Sequence, residues 1–323
     1  MTSRRTGNGP AAEAAVSAFA PAKINLYLHV VGRRANGYHN LDSLVVFAGV
    51  GDCVSAAPAA DLSLTVSGKF AEAIPLGADN LVLRAARALA AIAGVPATAA
   101  LHLEKNLPAA AGIGGGSADA AATIRALCRL WRIELAAEAS MALALGLGAD
   151  VPICLAGQPA YLGGIGDLLD PAPPLPPAWL VLANPRQAAS TPQVFAVRQG
   201  PYSQPARFGA APADADDLAR LLAERRNDLT EAAKVVAPAV GTAIAMLEGL
   251  PGALIARMSG SGATAFALFA DAEAARRGAA QLAAARPDWW VTAAPLLRGG
   301  AEQSLVENGD GDSRWTSTIS GAT

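Results

Sequence analysis

The chain has 323 residues, enough for about two domains that each bury a core, which excludes a disulfide-stapled miniprotein. Hydrophobic side chains make up 52% and charged ones 16%, against roughly 25% charged in an average globular domain, so a disordered polyelectrolyte is excluded as well. Twenty-five basic and 27 acidic side chains leave a net charge of -2, which offers no broad attraction for nucleic acid or anionic lipid, and any phosphate must be held locally.

Arg4 and Arg5 open the chain in the manner of a signal peptide, but Asn8, Gly9, Pro10 and Glu13 break the apolar segment that should follow. Residues 1–14 read as a disordered tail. From Val16 to Val66 apolar residues alternate or run in short blocks, as in Ile24 to Val30 and Leu62 to Val66, and predict strands. Asp79-Asn80 precedes a helical spacing from Leu81 to Leu89 that ends near Gly94 and Pro96. Ala100 to Glu104 reads as a strand, Lys105 to Gly116 as a loop and Ser117 to Trp131 as a helix. A further helix from about Ala136 to Leu145 leads into Gly146 to Asp150, and Pro152 is expected to stop its continuation.

Pro171 to Pro177 is the clearest break in composition and places a domain boundary, giving domains at 15–170 and 171–298. Downstream the pattern predicts a strand at Trp179 to Leu182 and helices around Leu218 to Arg226 and Val240 to Leu247. It then predicts strands at Leu254 to Met258 and Thr264 to Phe269, a helix Ala272 to Ala285 and a strand Trp290 to Ala293, an α+β mixture. Residues 299–323 turn polar and glycine-rich and read as a second disordered tail.

The longest uncharged stretches, Ala88 to Leu103 and Val151 to Gly166, hold about sixteen residues each and contain Pro96 or Pro159, short of the roughly 20 that span a membrane. A cytoplasmic protein is expected. Cys53, Cys128 and Cys154 lie far apart with no C-x-x-C pair, so neither a disulfide framework nor a zinc site is expected, and no residue is assigned to a metal.

The strongest local signal is Pro108-Ala109-Ala110-Ala111-Gly112-Ile113-Gly114-Gly115-Gly116-Ser117-Ala118, strand to glycine loop to helix. Glycines let successive N–H groups face a concavity, and the helix start adds unpaired donors and the positive dipole end, which together favour a phosphate. It is not a Walker A loop, because the Gly68-Lys69 pair is followed by Phe70, and Ser117 stands where a G-x-G-x-x-G fingerprint needs its last glycine. The turn Ser259-Gly260-Ser261-Gly262 reads either as a tight hairpin or as a cover for that loop.

Only four basic residues are lysines, Lys23, Lys69, Lys105 and Lys234, in a chain that otherwise uses arginine. A site needing a point charge cannot accept a guanidinium fork. Lys23 and Asn25 share one strand face, and Lys23 with Asp150 would supply the cation and base that phosphoryl transfer to an alcohol requires. Tyr38 and His39 follow the basic turn Arg33 to Asn36, where Tyr38 either stacks on a base or covers a strand end, whereas His29 and His102 read as structural.

Pro21 to Leu26, Arg33 to His39, Pro108 to Ala118, Gly148 to Pro152 and Met258 to Gly262 together resemble the GHMP kinase superfamily, over roughly residues 15 to 295. The resemblance implies a two-domain α+β fold with the ATP and substrate site in the cleft between domains. It implies an ATP-dependent kinase of the non-mevalonate isoprenoid route acting on the 2-hydroxyl of a cytidine-diphosphate-linked methylerythritol. By motif position Lys23 and Asp150 would be the catalytic pair, Pro108 through Ala118 would hold the ATP phosphates, and Asn80 and Lys105 would lie near the base or ribose. Asn25, Tyr38, His39 and Phe195 would bind the substrate, and Mg²⁺ would ride on the ATP phosphates and water. No nucleic-acid or membrane partner is implied, and oligomeric state is not set. Ala109 to Ala111 replace glycines of the family pattern, so this segment cannot adopt positive φ cheaply.

The rival readings are another GHMP kinase, for homoserine, mevalonate or a sugar, and a silent nucleotide-binding module. Tyr38, His39 and Phe195 speak against the first, and retention of Lys23 with Asp150 against the second. A dinucleotide oxidoreductase lacks both its glycine fingerprint and its acidic ribose contact.

Overall fold

The computed structural model describes residues 15–298, and the expected tails 1–14 and 299–323 lie outside the described residues. The first half runs β1 (Val16–Arg33), β2 (His39–Ala57), β3 (Ser63–Ser67), α1 (Leu81–Ala93) and β4 (Ala100–Glu104). Helices α2 (Gly115–Trp131), α3 (Ala137–Leu147) and α4 (Val151–Ala156) follow, then β5 (Ala160–Gly164) and β6 (Leu168–Pro171). The second half holds β7 (Trp179–Asn184), α5 (Thr191–Val197), α6 (Ala215–Ala223), α7 (Thr230–Val236) and α8 (Ala239–Glu248). It ends with β8 (Ile255–Met258), β9 (Ala265–Phe269), α9 (Ala272–Ala285) and β10 (Trp290–Leu297). This is the α+β architecture the sequence predicts.

β1 and β2 form a long antiparallel hairpin from Val16 opposite Ala56 to Arg33 opposite His39, bent where the register shifts after Pro21, Asn25 and Val30. β1 is covered on both faces, so every residue from Ala18 to Val30 is buried, the polar Lys23, Asn25 and His29 included. β2 is long enough to serve two neighbours, β5 through Leu41 to Val45 and β4 through Cys53 to Ala57. β10 pairs with β7 through Trp290 to Pro295 and then with β2 through Leu296 and Leu297. The sheet order β3-β4-β2-β10-β7-β9-β8 therefore runs from one half into the other.

One apolar cluster lies under α1, α2 and α3, and another mixes Ile24 and Leu26 with Leu180, Phe266 and Trp290. Asn80 caps α1 as predicted, accepting from the Val82 N–H at 2.9 Å, and Gly94 closes it in the left-handed conformation. Two local expectations need correction, and a costly conformation is adopted nonetheless. α2 begins at Gly115, two residues early, because Gly114 at φ 64 is the break and Gly115 and Gly116 already wind as helix. Pro152 starts a helix instead of stopping one: it sits in the first turn of α4, where its missing N–H costs nothing. Ala110 adopts φ 51 despite its Cβ.

Among the described residues no helix is long and apolar enough to cross a membrane.

Candidate active site

Lys23 is fixed by its strand before its side chain is considered. Its N–H donates to Ile113 O at 2.9 Å, which stitches β1 to the glycine loop. A Cβ at Gly114 would lie 3.1 Å from Lys23 Cβ, so the loop rests directly on this residue. The side chain is 6% exposed and its Nζ donates to Asp150 Oδ1 at 2.8 Å, while Asp150, at the start of α4, is 38% exposed. The carboxylate thus faces outward with Oδ2 unbonded to any described residue.

The glycine loop is braced from outside. Ala111 O accepts from Thr264 N at 3.1 Å and Thr264 Oγ1 at 2.7 Å, and Gly112 O accepts from Ser259 Oγ at 3.4 Å. A Cβ at Gly112 would strike Gly262 O at 2.2 Å, so glycine is required there for close approach. Ser259 to Gly262 answers to both readings: it is the hairpin turn between the antiparallel β8 and β9, with the Gly262 N–H donating to Ser259 O at 2.9 Å, and it also covers the glycine loop. Asn227 Nδ2 holds that turn through Met258 O and Gly260 O, each at 2.8 Å, and Asn184 Nδ2 holds Thr264 Oγ1 at 2.9 Å.

With three loop carbonyls occupied, the other side of the loop presents donors. The first intrahelical bond of α2 runs from Ala118 N to Gly114 O at 2.8 Å, so the N–H groups of Gly115, Gly116 and Ser117 have no helical acceptor. Gly116 is exposed, with nothing within 4 Å of where its Cβ would stand. These donors and the dipole end form an anion seat beside Lys23. Asn25 stands next to it, with its Nδ2 on Ser43 Oγ at 2.8 Å, its N–H on Ser259 Oγ at 3.1 Å, and its Oδ1 buried without a partner.

The aromatic residues gather at the hairpin tip. Gly37 at φ 88 turns the chain, and Tyr38 projects with 62% of its surface exposed. His39 stacks on Phe195 of α5, with ring centroids 5.0 Å apart and planes 21° apart. Burial, Arg33 and Arg198 all hold its imidazole below the ordinary histidine value, which keeps the ring neutral with one donor and one acceptor nitrogen. α5 is tied to the covering turn through Thr191 Oγ1 and Ser261 Oγ, 2.7 Å apart.

Two expected residues are placed differently from the rest. Asn80 has both ends of its amide engaged, Oδ1 on Val82 N and Nδ2 on Pro75 O at 2.8 Å. Lys105 buries its ammonium between Asp52 and Asp119. Their backbones are engaged as well: Lys105 N–H donates to Ser67 O and its carbonyl accepts from Phe70 N, while Asn80 N–H donates to Gly77 O and its carbonyl accepts from Arg84 N. Sequence reasoning passed over Asp52 and Asp119 themselves; the available signal was an acid set among the alanines of an apolar helix and a lysine with no named partner. His29 is structural as read, bonded to Gln204 O and Arg226 N, whereas His102 lies exposed between Thr65 and Ser67.

Residues 80–158 match the GHMP kinases N terminal domain and residues 210–288 the GHMP kinases C terminal family. The chain is 55% identical over 278 residues to a 4-diphosphocytidyl-2-C-methyl-D-erythritol kinase of Paramagnetospirillum magneticum, covering 86% of this chain and 97% of that one. It is 54% identical over 288 residues to the enzyme of the same name from Rhodospirillum rubrum, covering 89% and 94%. A crystal structure of 4-(cytidine 5'-diphospho)-2C-methyl-D-erythritol kinase superposes with a TM-score of 0.70 at 33% identity, covering 88% of this chain and all of that one. Homoserine kinase from Cytophaga hutchinsonii, at 17% identity and a TM-score of 0.67, shares the fold. The chain belongs to the GHMP kinases, within the group of 4-diphosphocytidyl-2-C-methyl-D-erythritol kinases.

Proposed function

We infer that the chain transfers the γ-phosphate of ATP to the 2-hydroxyl of 4-diphosphocytidyl-2-C-methyl-D-erythritol, in the non-mevalonate isoprenoid pathway, with Asp150 as base and Lys23 as its electrostatic partner. The observation that carries the chemistry is the 2.8 Å Lys23–Asp150 pair, buried at the ammonium and open at the carboxylate, beside the seat at Gly115 to Ser117. The free Asp150 oxygen takes the hydroxyl proton as the alcohol oxygen attacks in line. As Asp150 is neutralised, the fixed Lys23 ammonium is left to face the transferring phosphoryl group, where charge accumulates.

Among the described residues no cluster of three or more His, Cys, Asp or Glu side chains is placed to hold a metal ion. Mg²⁺ would be held on the ATP phosphate oxygens and water over Gly115 to Ser117. Bound there, it supplies neutralisation of the β- and γ-phosphate charge. The cytosine lies against Tyr38 and Phe195 and is read at its edge by neutral His39, while Asn25 Oδ1 accepts from the substrate beside Lys23. The halves on either side of Pro171 to Pro177 act as two domains, 15–170 and 171–298, and the enzyme works in the cytoplasm.

A coupled ADP-release assay with Mg-ATP tests this by comparing the cytidylyl alcohol with mevalonate, homoserine and galactose. Turnover confined to the cytidylyl alcohol is expected. Turnover on another alcohol alone overturns the substrate, and silence on all four with ATP still bound overturns the reaction.

A further inference from the structure

Three ionisable side chains are sealed beneath the first turn of α2, apart from the Lys23–Asp150 pair. Lys105 Nζ donates to Asp52 Oδ2 at 2.5 Å and to Asp119 Oδ2 at 2.7 Å, and no side chain of the three is more than 4% exposed. Asp52 comes from β2, Lys105 follows β4 and Asp119 lies on α2, so the cluster joins three elements. It also touches the phosphate seat: a Cβ at Gly115 would lie 3.2 Å from Lys105 Nζ and 3.8 Å from Asp52 Oδ2.

Two carboxylates and one ammonium leave one negative charge too many for a sealed site. The donors decide which carboxylate keeps it. Asp52 Oδ1 accepts the N–H groups of Asn106 at 2.6 Å and Leu107 at 2.8 Å, in addition to the ammonium on its other oxygen. Asp119 accepts from the ammonium alone, and its Oδ1 is buried with no partner. A carboxylate with three donors stays ionised, so the extra proton resides on Asp119.

We propose that Asp52, Lys105 and Asp119 form a singly protonated pin that fixes the start of α2 against the sheet, making Asp119 a positioning residue for ATP. Burial foremost, with the neighbouring Asp52, pushes the Asp119 carboxyl up to about 8 against the pull of Lys105. The groups facing it are Asp52 and Lys105, with Cys154 of α4 beyond them, whose thiol burial pushes up to about 12 and so keeps neutral. Lys23 of β1 lies across Gly114 with its charge balanced by Asp150, and α1 and α3 turn only apolar residues inward. Above its titration Asp119 adds an unbalanced negative charge under the turn that seats the phosphates, which opposes both the nucleotide and the docking of α2. The pin rests on the reading that ATP phosphates lie over Gly115 to Ser117.

The test is the KM for ATP against pH in the wild type and Asp119→Asn. Between pH 7 and pH 9 the wild-type KM should rise as Asp119 ionises, by at most about tenfold, the limit in which the ionised form holds no nucleotide. An amide cannot ionise, so in Asp119→Asn the ratio of the two KM values should fall to about 1. A wild-type profile without the rise, or a rise retained in Asp119→Asn, overturns the pin. Infrared difference spectra of the wild type alone give a second readout: a protonated-carboxyl band present at pH 7 and lost by pH 9 is expected, and its absence at pH 7 overturns the proposal even where the variant fails to fold. Gly116→Val separates the underlying reading, because its side chain enters open space and obstructs only a ligand over the helix start. Normal ATP binding by Gly116→Val overturns that reading and the pin with it. Blocked binding there, with the pH rise retained in Asp119→Asn, overturns the pin alone.

Discussion

Lys23 and Lys105 are equally deep, 6% and 2% exposed, and each is paired to carboxylate at hydrogen-bond distance. They differ in where the partner faces. Asp150 is 38% exposed beside the phosphate seat, whereas Asp52 and Asp119 are 0% and 4% exposed. On the proposed mechanism the same kind of ion pair serves as a reagent where its carboxylate meets solvent, and on the proposed pin as a fastening where it does not. An alcohol can bring its proton to Asp150; nothing outside the protein reaches the other two.

The largest expected effect strikes the reactive side of that contrast. Asp150→Asn should lower kcat by about three to four orders of magnitude with KM values for both substrates within a few-fold, as loss of a general base does. Steady-state kinetics at saturating ATP check it, and near-normal turnover would erase the distinction. The lysines sharpen it. Lys105→Met strands Asp52 as a buried charge and should cost about 3–5 kcal/mol, read as a drop in Tm of about 5–8 °C by calorimetry. Lys23→Ala leaves a half-open carboxylate, so its loss should appear in kcat with Tm shifted far less. If the two variants lose the same stability, exposure of the partner is not what separates them.

Next in size is the hairpin tip. Tyr38→Ala should raise KM for the cytidylyl alcohol by about 10- to 100-fold, the worth of one base stacked on an aromatic ring, with kcat changed much less. Unchanged KM would remove Tyr38 from the pocket. The smallest effect is at the loop's entry. Ala110 holds φ 51 at a cost of about 1 kcal/mol that glycine would not incur, and glycine's greater freedom in the unfolded chain offsets it by a similar amount. Ala110→Gly should therefore move the unfolding free energy by less than about 0.5 kcal/mol in a denaturant titration.

What was legible in the sequence was local. Asn80 and Gly94 bracket α1 because capping acts over a few residues, and α9 spans Ala272–Ala285 as its spacing predicts. The pair Lys23 and Asp150 emerged from chemistry that needs a cation and a base. Val151 to Gly166 was opaque, because an almost uniformly apolar run carries no period, and it holds both α4 and β5. That Ala110 takes its costly positive φ was not legible, because the loop is braced by Thr264 and Ser259, some 150 residues away. The fastening at Lys105 was invisible for the same reason: Asp52 is 53 positions away and meets it only once β2 and β4 have paired.

The double pairing of β10 sets the order in which this enzyme can be born. Phe47 of β2 acquires its partner Leu297 only when a strand about 250 positions later has left the ribosome, on the order of ten to fifty seconds of synthesis. Until then the hairpin that carries Lys23 lacks one neighbour in the sheet, and the turn at Ser259 that covers the glycine loop has been made for only the last few seconds. The nascent chain is thus mute as a catalyst for nearly all of its translation, and a ribosome that stalls before Trp290 releases two half-sheets without the strand that joins them.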